Sequence, residues 1–168
     1  MKIEWMEKYL KEAEQMIYEN RVNEALRMLT GLLYEEPGYG YLHNHLGWAY
    51  MYYTADTTQA ELHLIMAIKF GEEYPAPYIH LGNLLIRAGR YAEAIEYLEL
   101  GVQKPNAQRV TFLESIGQAY ELKGDMTKAI KAYREATLAS VVNHEITSLT
   151  ENIKRCRKKK WAMMFGFL

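Results

Sequence analysis

The chain has 168 residues, 20 basic against 21 acidic, 49% apolar residues and a single cysteine. That length and balance describe a chain that folds around its own core, with no need of a disulfide framework or a structural metal. No apolar run approaches the ~18 residues that cross a bilayer, which excludes a spanning helix.

The first segment, MKIEWMEKYLKEAEQM, sets charged and apolar residues at helical spacing and holds no uninterrupted apolar stretch. No secretion signal is expected, and the compartment predicted is cytoplasmic. Cys156 then reads as a small apolar filler.

From this segment onward a period governs the sequence. Small residues recur at Ala13, Gly47, Gly82 and Gly117, spaced 34, 35 and 35, and at Ala25, Ala60, Ala94 and Ala129, spaced 35, 34 and 35. A third set, Leu32, Ala67, Gly101 and Ala136, follows seven residues later on the same helical face. Large apolar residues fill the intervals: Leu46, Leu81 and Ile116 precede the glycines, and Leu29, Leu64, Leu98 and Tyr133 follow the alanines by four. Spacings of three, four and seven belong to amphipathic helices. Asn20, Gly89-Arg90 and Gly124-Asp125 break each unit internally, while Glu36-Pro37-Gly38, Tyr74-Pro75 and Lys104-Pro105-Asn106 separate the units. Each unit is therefore predicted to be helix, tight turn, helix, with a longer inner turn where one extra residue falls within Thr54 to Gln59. After the repeats, Ile146, Leu149, Ile153 and Cys156 form one stripe of a ninth helix, with Asn143 as its expected cap.

At these residues the sequence resembles the tetratricopeptide repeat family. Leu46-Gly47-Trp48-Ala49-Tyr50 is similar to that family's L-G-x-x-Y. Leu81-Gly82 and Ile116-Gly117-Gln118-Ala119-Tyr120 repeat it, and Tyr91-Ala92-Glu93-Ala94-Ile95 is similar to the opening of its second helix. The resemblance implies an all-α, right-handed α-solenoid of four helix-turn-helix units over 1–143, at about 6–39, 40–74, 75–109 and 110–143. Residues 144–168 are left as a capping helix with a basic run and an apolar tail.

The resemblance also says which side chains line the concave groove formed by the first helix of each pair. Unit one would contribute Leu10, Lys11, Glu14, Ile17 and Tyr18, and unit two Tyr41, Asn44, His45, Trp48, Met51 and Tyr52. Unit three would give Ile79, His80, Asn83, Ile86 and Arg87, and unit four Thr111, Glu114, Ser115, Gln118, Glu121 and Leu122. The candidate partner-binding set is Tyr41, Asn44, His45, Trp48, Tyr52, His80, Asn83, Arg87 and Gln118. Some members of the family clamp acidic chaperone tails with Lys, Asn and Arg at fixed places. Neither register of that clamp is filled here, and a carboxylate needs charged or multiple N–H donors to offset its desolvation. An apolar or aromatic peptide or helix suits Trp48 and Tyr52 better, with Asn83 and Arg87 available to its backbone or to an acidic side chain. The alternative use of Trp48 is packing between helices.

His43 and His45 lie two apart, on different helix faces, and His45 and His80 hold equivalent places in adjacent units. No third ligand accompanies them, so no metal and no other cofactor is expected. No catalytic elbow, phosphate loop or dinucleotide fingerprint is present, and the chain is read as non-enzymatic. Six of the seven residues Lys154 to Lys160 are basic, leaving 14 basic against 21 acidic residues elsewhere. An acidic body repels phosphates, so nucleic acid is not expected as a partner. The tail contacts Lys158, Lys159, Lys160, Trp161 and Phe165 carry three readings. The apolar end folds back on the last unit, it joins a second copy in a homo-oligomer, or it touches an anionic membrane surface. A secretion-type chaperone is a further alternative to the scaffold reading.

Overall fold

The computed structural model describes residues 2–166, with side chains from Trp5 onward. Among the described residues there are nine helices and no strand. They are α1 (Lys2–Tyr18), α2 (Val22–Leu32), α3 (Gly40–Tyr53), α4 (Thr57–Phe70), α5 (Ala76–Arg87), α6 (Tyr91–Gly101), α7 (Arg109–Lys123), α8 (Met126–Ala139) and α9 (Asn143–Met164).

The repeated small residues are where helices meet most closely. A Cβ built on Gly47 would lie 2.6 Å from Leu64 Cγ, one on Gly82 2.5 Å from Leu98, and one on Gly117 2.7 Å from the Tyr133 ring. Each glycine thus admits the large residue four places after the alanine of the next helix, and Ala25, Ala60, Ala94 and Ala129 are fully buried. The turns follow backbone rules. Gly89 and Gly124 sit at φ +77° and +91°, and Asn20 takes the same left-handed region at +63°.

The longer inner turn expected in the second unit does not form. Three residues separate α3 from α4, as between α1 and α2 or α5 and α6, and the extra residue extends α3. A residue added to a helix end gains a hydrogen bond that a loop residue lacks. Thr54 Oγ1 then donates to the Tyr50 carbonyl at 2.8 Å, and Asp56 caps α4 by accepting from the Gln59 N–H at 3.0 Å. Asn143 is likewise not the cap of α9. It is the first helical residue, Val142 occupies the capping position, and the Ser140 hydroxyl accepts from the Val142 N–H at 3.1 Å.

The chain divides into two compact units, Met1–Leu81 and Gly82–Leu168. In the first, Met6, Leu10, Ala13 and Ile17 of α1 pack with Ala25 and Leu29 of α2 and with Leu42, Leu46 and Ala49 of α3. In the second, Leu113 of α7 and Ala129, Tyr133 and Ala136 of α8 pack with Leu149, Ile153 and Cys156 of α9. Cys156 is fully buried, and burial pushes its thiol up to about 11, so it packs as a protonated, apolar group.

The ninth helix runs unbroken to Met164. Its described apolar end continues the helix: Trp161, Met163, Met164 and Phe165 are all more than half exposed, with Trp161 and Phe165 rings 4.9 Å apart, and Met163 and Met164 border a recess beside the α7–α8 turn. One helical turn separates those two residues, so they pair with each other along the helix. Phe167 and Leu168 lie outside the described residues. No helix among the described residues is long and apolar enough to cross a membrane.

Candidate interaction surface

In the first unit, α3 carries most of the candidate residues because its fourteen residues turn both a buried and an open face. Tyr41 is exposed and stacks on Tyr74 at 4.2 Å between ring centroids. Tyr52 is exposed and meets His80 of α5 edge-on at 6.3 Å. Trp48 is half-buried between Tyr18 of α1 at 6.2 Å and Tyr53 at 5.1 Å, so it serves packing and surface together.

The polar groups nearby are tied to one another. His45 is half-buried, with Nδ1 at 2.7 Å from the Tyr41 carbonyl and Nε2 at 2.9 Å from Glu14 Oε1. It therefore donates from Nδ1 to the backbone and, when protonated, from Nε2 to the carboxylate. Burial, then the charge on His45, pushes His80 down to about 4, so its ring is neutral at pH 7. Asn44 is buried and donates from Nδ2 to the Tyr74 hydroxyl at 3.3 Å. Burial, with Tyr41 beside it, pushes the Tyr74 phenol up to about 12. Glu14, Tyr18, Asn44, His45, Trp48 and His80 border one recess of about 270 Å³.

His43, two residues before His45, points elsewhere. It is buried against α4, its Nδ1 3.0 Å from His63 Nδ1 and its Nε2 3.0 Å from the Pro37 carbonyl. Nε2–H of His43 donates to that carbonyl, which leaves Nδ1 of His43 to accept from Nδ1–H of His63. Tyr50 stacks on His63 at 5.7 Å. The repeat gave no signal for this pair, since His63 sits between the small residues that set the period.

Several positions carried over to the inner wall are in fact interior. Leu10, Ile17 and Met51 in the first unit, and Ile86, Ser115 and Glu121 in the second, are each less than a tenth exposed. Ser115 donates to Asn83 Oδ1 at 3.1 Å, so half-buried Asn83 shares its amide with α7. Arg87 and Gln118 are exposed. Glu121 was expected at the groove and is held instead by α9. Arg155 Nε and Nη2 donate to its two oxygens at 2.8 and 2.7 Å, Lys159 Nζ at 2.7 Å, and the Tyr133 hydroxyl at 3.1 Å. The Arg155 hydrogen bonds outweigh burial and hold the carboxyl down at about 2. Arg155 and Lys159 of the basic run are thus tied to Glu121 while still partly in solvent, and Lys158 and Lys160 are exposed as well. Among the described residues no three His, Cys, Asp or Glu converge as a metal site would need.

These helix pairs, close contacts of glycine with leucine or tyrosine, and left-handed turns define a helical repeat protein. Residues 76–103 and 110–140 match the tetratricopeptide repeat model. A MamA crystal structure is similar over 77% of this chain and 70% of its own, at 26% identity and TM-score 0.69. TTC0263, a thermophilic TPR protein of Thermus thermophilus, matches over 86% and 79%, at 17% identity and TM-score 0.70. PilF of Pseudomonas aeruginosa matches over 90% and 69%, at 15% identity and TM-score 0.78, and these last two likenesses speak for the fold alone. No curated protein sequence matches significantly. The fold is that of the tetratricopeptide-repeat proteins, and the repeat model itself accounts for residues 76–103 and 110–140.

Proposed function

We propose that the protein is a non-catalytic scaffold of the cytoplasm that holds a peptide or helical segment of another protein on the faces of its first helices. The reading takes the chain as four repeats over 1–143 followed by a capping helix. Its contact residues are Tyr41, Asn44, His45, Trp48, Tyr52 and His80 in the first unit and Asn83, Arg87 and Gln118 in the second. The observation that carries it is the open aromatic face of α3. Tyr41 and Tyr52 are 45% and 49% exposed, and large rigid rings left in water are what an interface uses. Trp48→Ala combined with Arg87→Ala should abolish capture of the wild-type chain's partner while far-ultraviolet circular dichroism stays unchanged. Unaltered capture moves the contact elsewhere.

A second reading rests on the end of α9, where exposed Trp161, Met163, Met164 and Phe165 follow exposed Lys158 and Lys160. An apolar tip of this kind joins a second copy or an anionic membrane surface. Deleting residues 161–168 and measuring mass in solution, with flotation on anionic liposomes, separates the two. A fall from oligomer to monomer supports self-association, and loss of flotation supports the membrane contact.

A further inference from the structure

Asn44 poses a problem that its own unit does not solve. It is 6% exposed, its Nδ2 donates to Tyr74, and its Oδ1 has no hydrogen-bond partner. Among the described residues it is the buried side-chain oxygen or nitrogen left in that state. An orphaned buried carbonyl costs about 1–3 kcal/mol, and such a group persists where something else supplies the missing donor.

The surroundings say what that donor is. Asn44 borders the recess formed with Glu14, Tyr18, His45, Trp48 and Tyr74, and no lysine or arginine lines it. Glu14 spends only Oε1 on His45 among the described residues, and His80 stands there as a neutral ring. The lining is thus acceptor oxygens and aromatic faces. A carboxylate ligand would find no cation free to receive it, because His45 already faces Glu14. The first unit as a whole holds six basic against twelve acidic residues, so a cation is drawn to it from a distance.

We infer that this recess binds the guanidinium of an arginine side chain presented by a partner polypeptide. The inference rests on the reading of this face as a peptide-binding surface and adds the chemistry of one anchoring residue. The planar group stacks on the aromatic rings of Trp48 and Tyr18 and donates to Asn44 Oδ1 and to Glu14. Arginine fits better than lysine because it is more weakly hydrated, stacks, and offers several donors in a fixed fork. A recess of about 270 Å³ takes a single side chain. The rest of the partner lies outside it.

The test titrates the full chain with three blocked peptides, acetyl-Ala-Ala-Xaa-Ala-Ala-amide, in which Xaa is arginine, citrulline or glutamate, read by amide chemical-shift changes. The arginine peptide should bind at least about tenfold more tightly than the isosteric, neutral citrulline peptide, weaken with added salt, and perturb the Asn44 and Trp48 side-chain signals. Glu14→Gln should weaken it about fivefold or more, and Asn44→Asp, which puts a carboxylate where the amide oxygen stands, should tighten it. Equal binding of arginine and citrulline, tighter binding of glutamate, or indifference to both substitutions would overturn the arginine site. If the arginine peptide fails while partner capture still depends on Trp48 and Arg87, the guanidinium recess is wrong and the surface reading stands. If the arginine peptide binds while that capture is indifferent to both residues, the recess stands and the wider surface falls.

Discussion

Buried polar groups are handled differently in the two units. In the first they are uncharged: His43 and His63 share a hydrogen bond, and Asn44 keeps one oxygen unmatched. In the second a carboxylate is buried, Glu121, and it is surrounded by Arg155 and Lys159 of α9 and the Tyr133 hydroxyl of α8. The surface charge divides the same way, six basic against twelve acidic residues in 1–81 and fourteen against nine in 82–168. One helical pattern can thus be closed by two kinds of polar contact. A charge enclosed by its partners binds the last helix to its neighbours, and an unmatched buried amide oxygen is the group the proposed arginine site would use.

The largest effect should come from stripping the second unit's carboxylate of its cations. Arg155→Met with Lys159→Met leaves Glu121 buried with only the uncharged Tyr133 hydroxyl and Cys156 thiol beside it and should cost about 3–5 kcal/mol in urea unfolding. Glu121→Gln should cost clearly less, since Arg155 and Lys159 are each more than two-fifths exposed and water can take them over. Equal losses would contradict the contrast between the units.

Acid should act next, and on the first unit. Burial, then electrostatic repulsion from the adjacent His43 ring, pushes His63 down to about 4 from 6.5. Between those values the unfolded chain binds the proton and the folded chain does not, so stability is complete above pH 6.5 and falls as pH drops toward 4. The loss from His63 is about 3 kcal/mol at most. His80, similarly lowered, adds to the slope. Urea midpoints measured from pH 7 to pH 4 should show the decline, and His43→Phe with His63→Phe should reduce it to the share of His80. Glu121 adds little above pH 5, because its carboxyl is lowered from 4.5 to about 2 on folding and its stabilisation is lost as pH falls from about 4.5 toward 2, mostly below the His63 window.

A smaller difference separates two glycines that look equivalent in the repeat. Gly117→Ala drives a Cβ onto the Tyr133 ring, which is buried and pinned through its hydroxyl to Glu121, whereas Gly47→Ala meets the branched end of Leu64. Both overpack, at about 1–3 kcal/mol, with Gly117→Ala at the upper end and Gly47→Ala at the lower in thermal unfolding. The smallest effect belongs to the tail. Deleting residues 161–168 should change unfolding free energy by no more than about 0.5 kcal/mol, because Trp161, Met163, Met164 and Phe165 are covered so little.

Much of the fold was legible because its signals are local. Gly47, Gly82 and Gly117 are spaced by the length of one helix pair, and Gly89 and Gly124 stop helices by backbone geometry that no neighbour needs to impose. The site was less legible. Leu10, Ile17, Met51 and Glu121 occupy places that the repeat pattern assigns to an open wall, yet neighbouring helices cover them. His43 and His63 stand twenty residues apart, and nothing in either residue's own helix announces the pair.

The order of residues was enough to specify helix pairs with tight turns, to mark where the pairs begin, and to set glycine and alanine against the large residues. Helical spacing and turn chemistry act over a few residues, so a linear pattern suffices for them. Which polar groups found partners was settled by packing. Whether Glu121 meets Arg155, or Asn44 keeps an oxygen unmatched, depends on side chains that neighbouring helices bring within hydrogen-bonding reach, and spacing along the chain does not encode that distance.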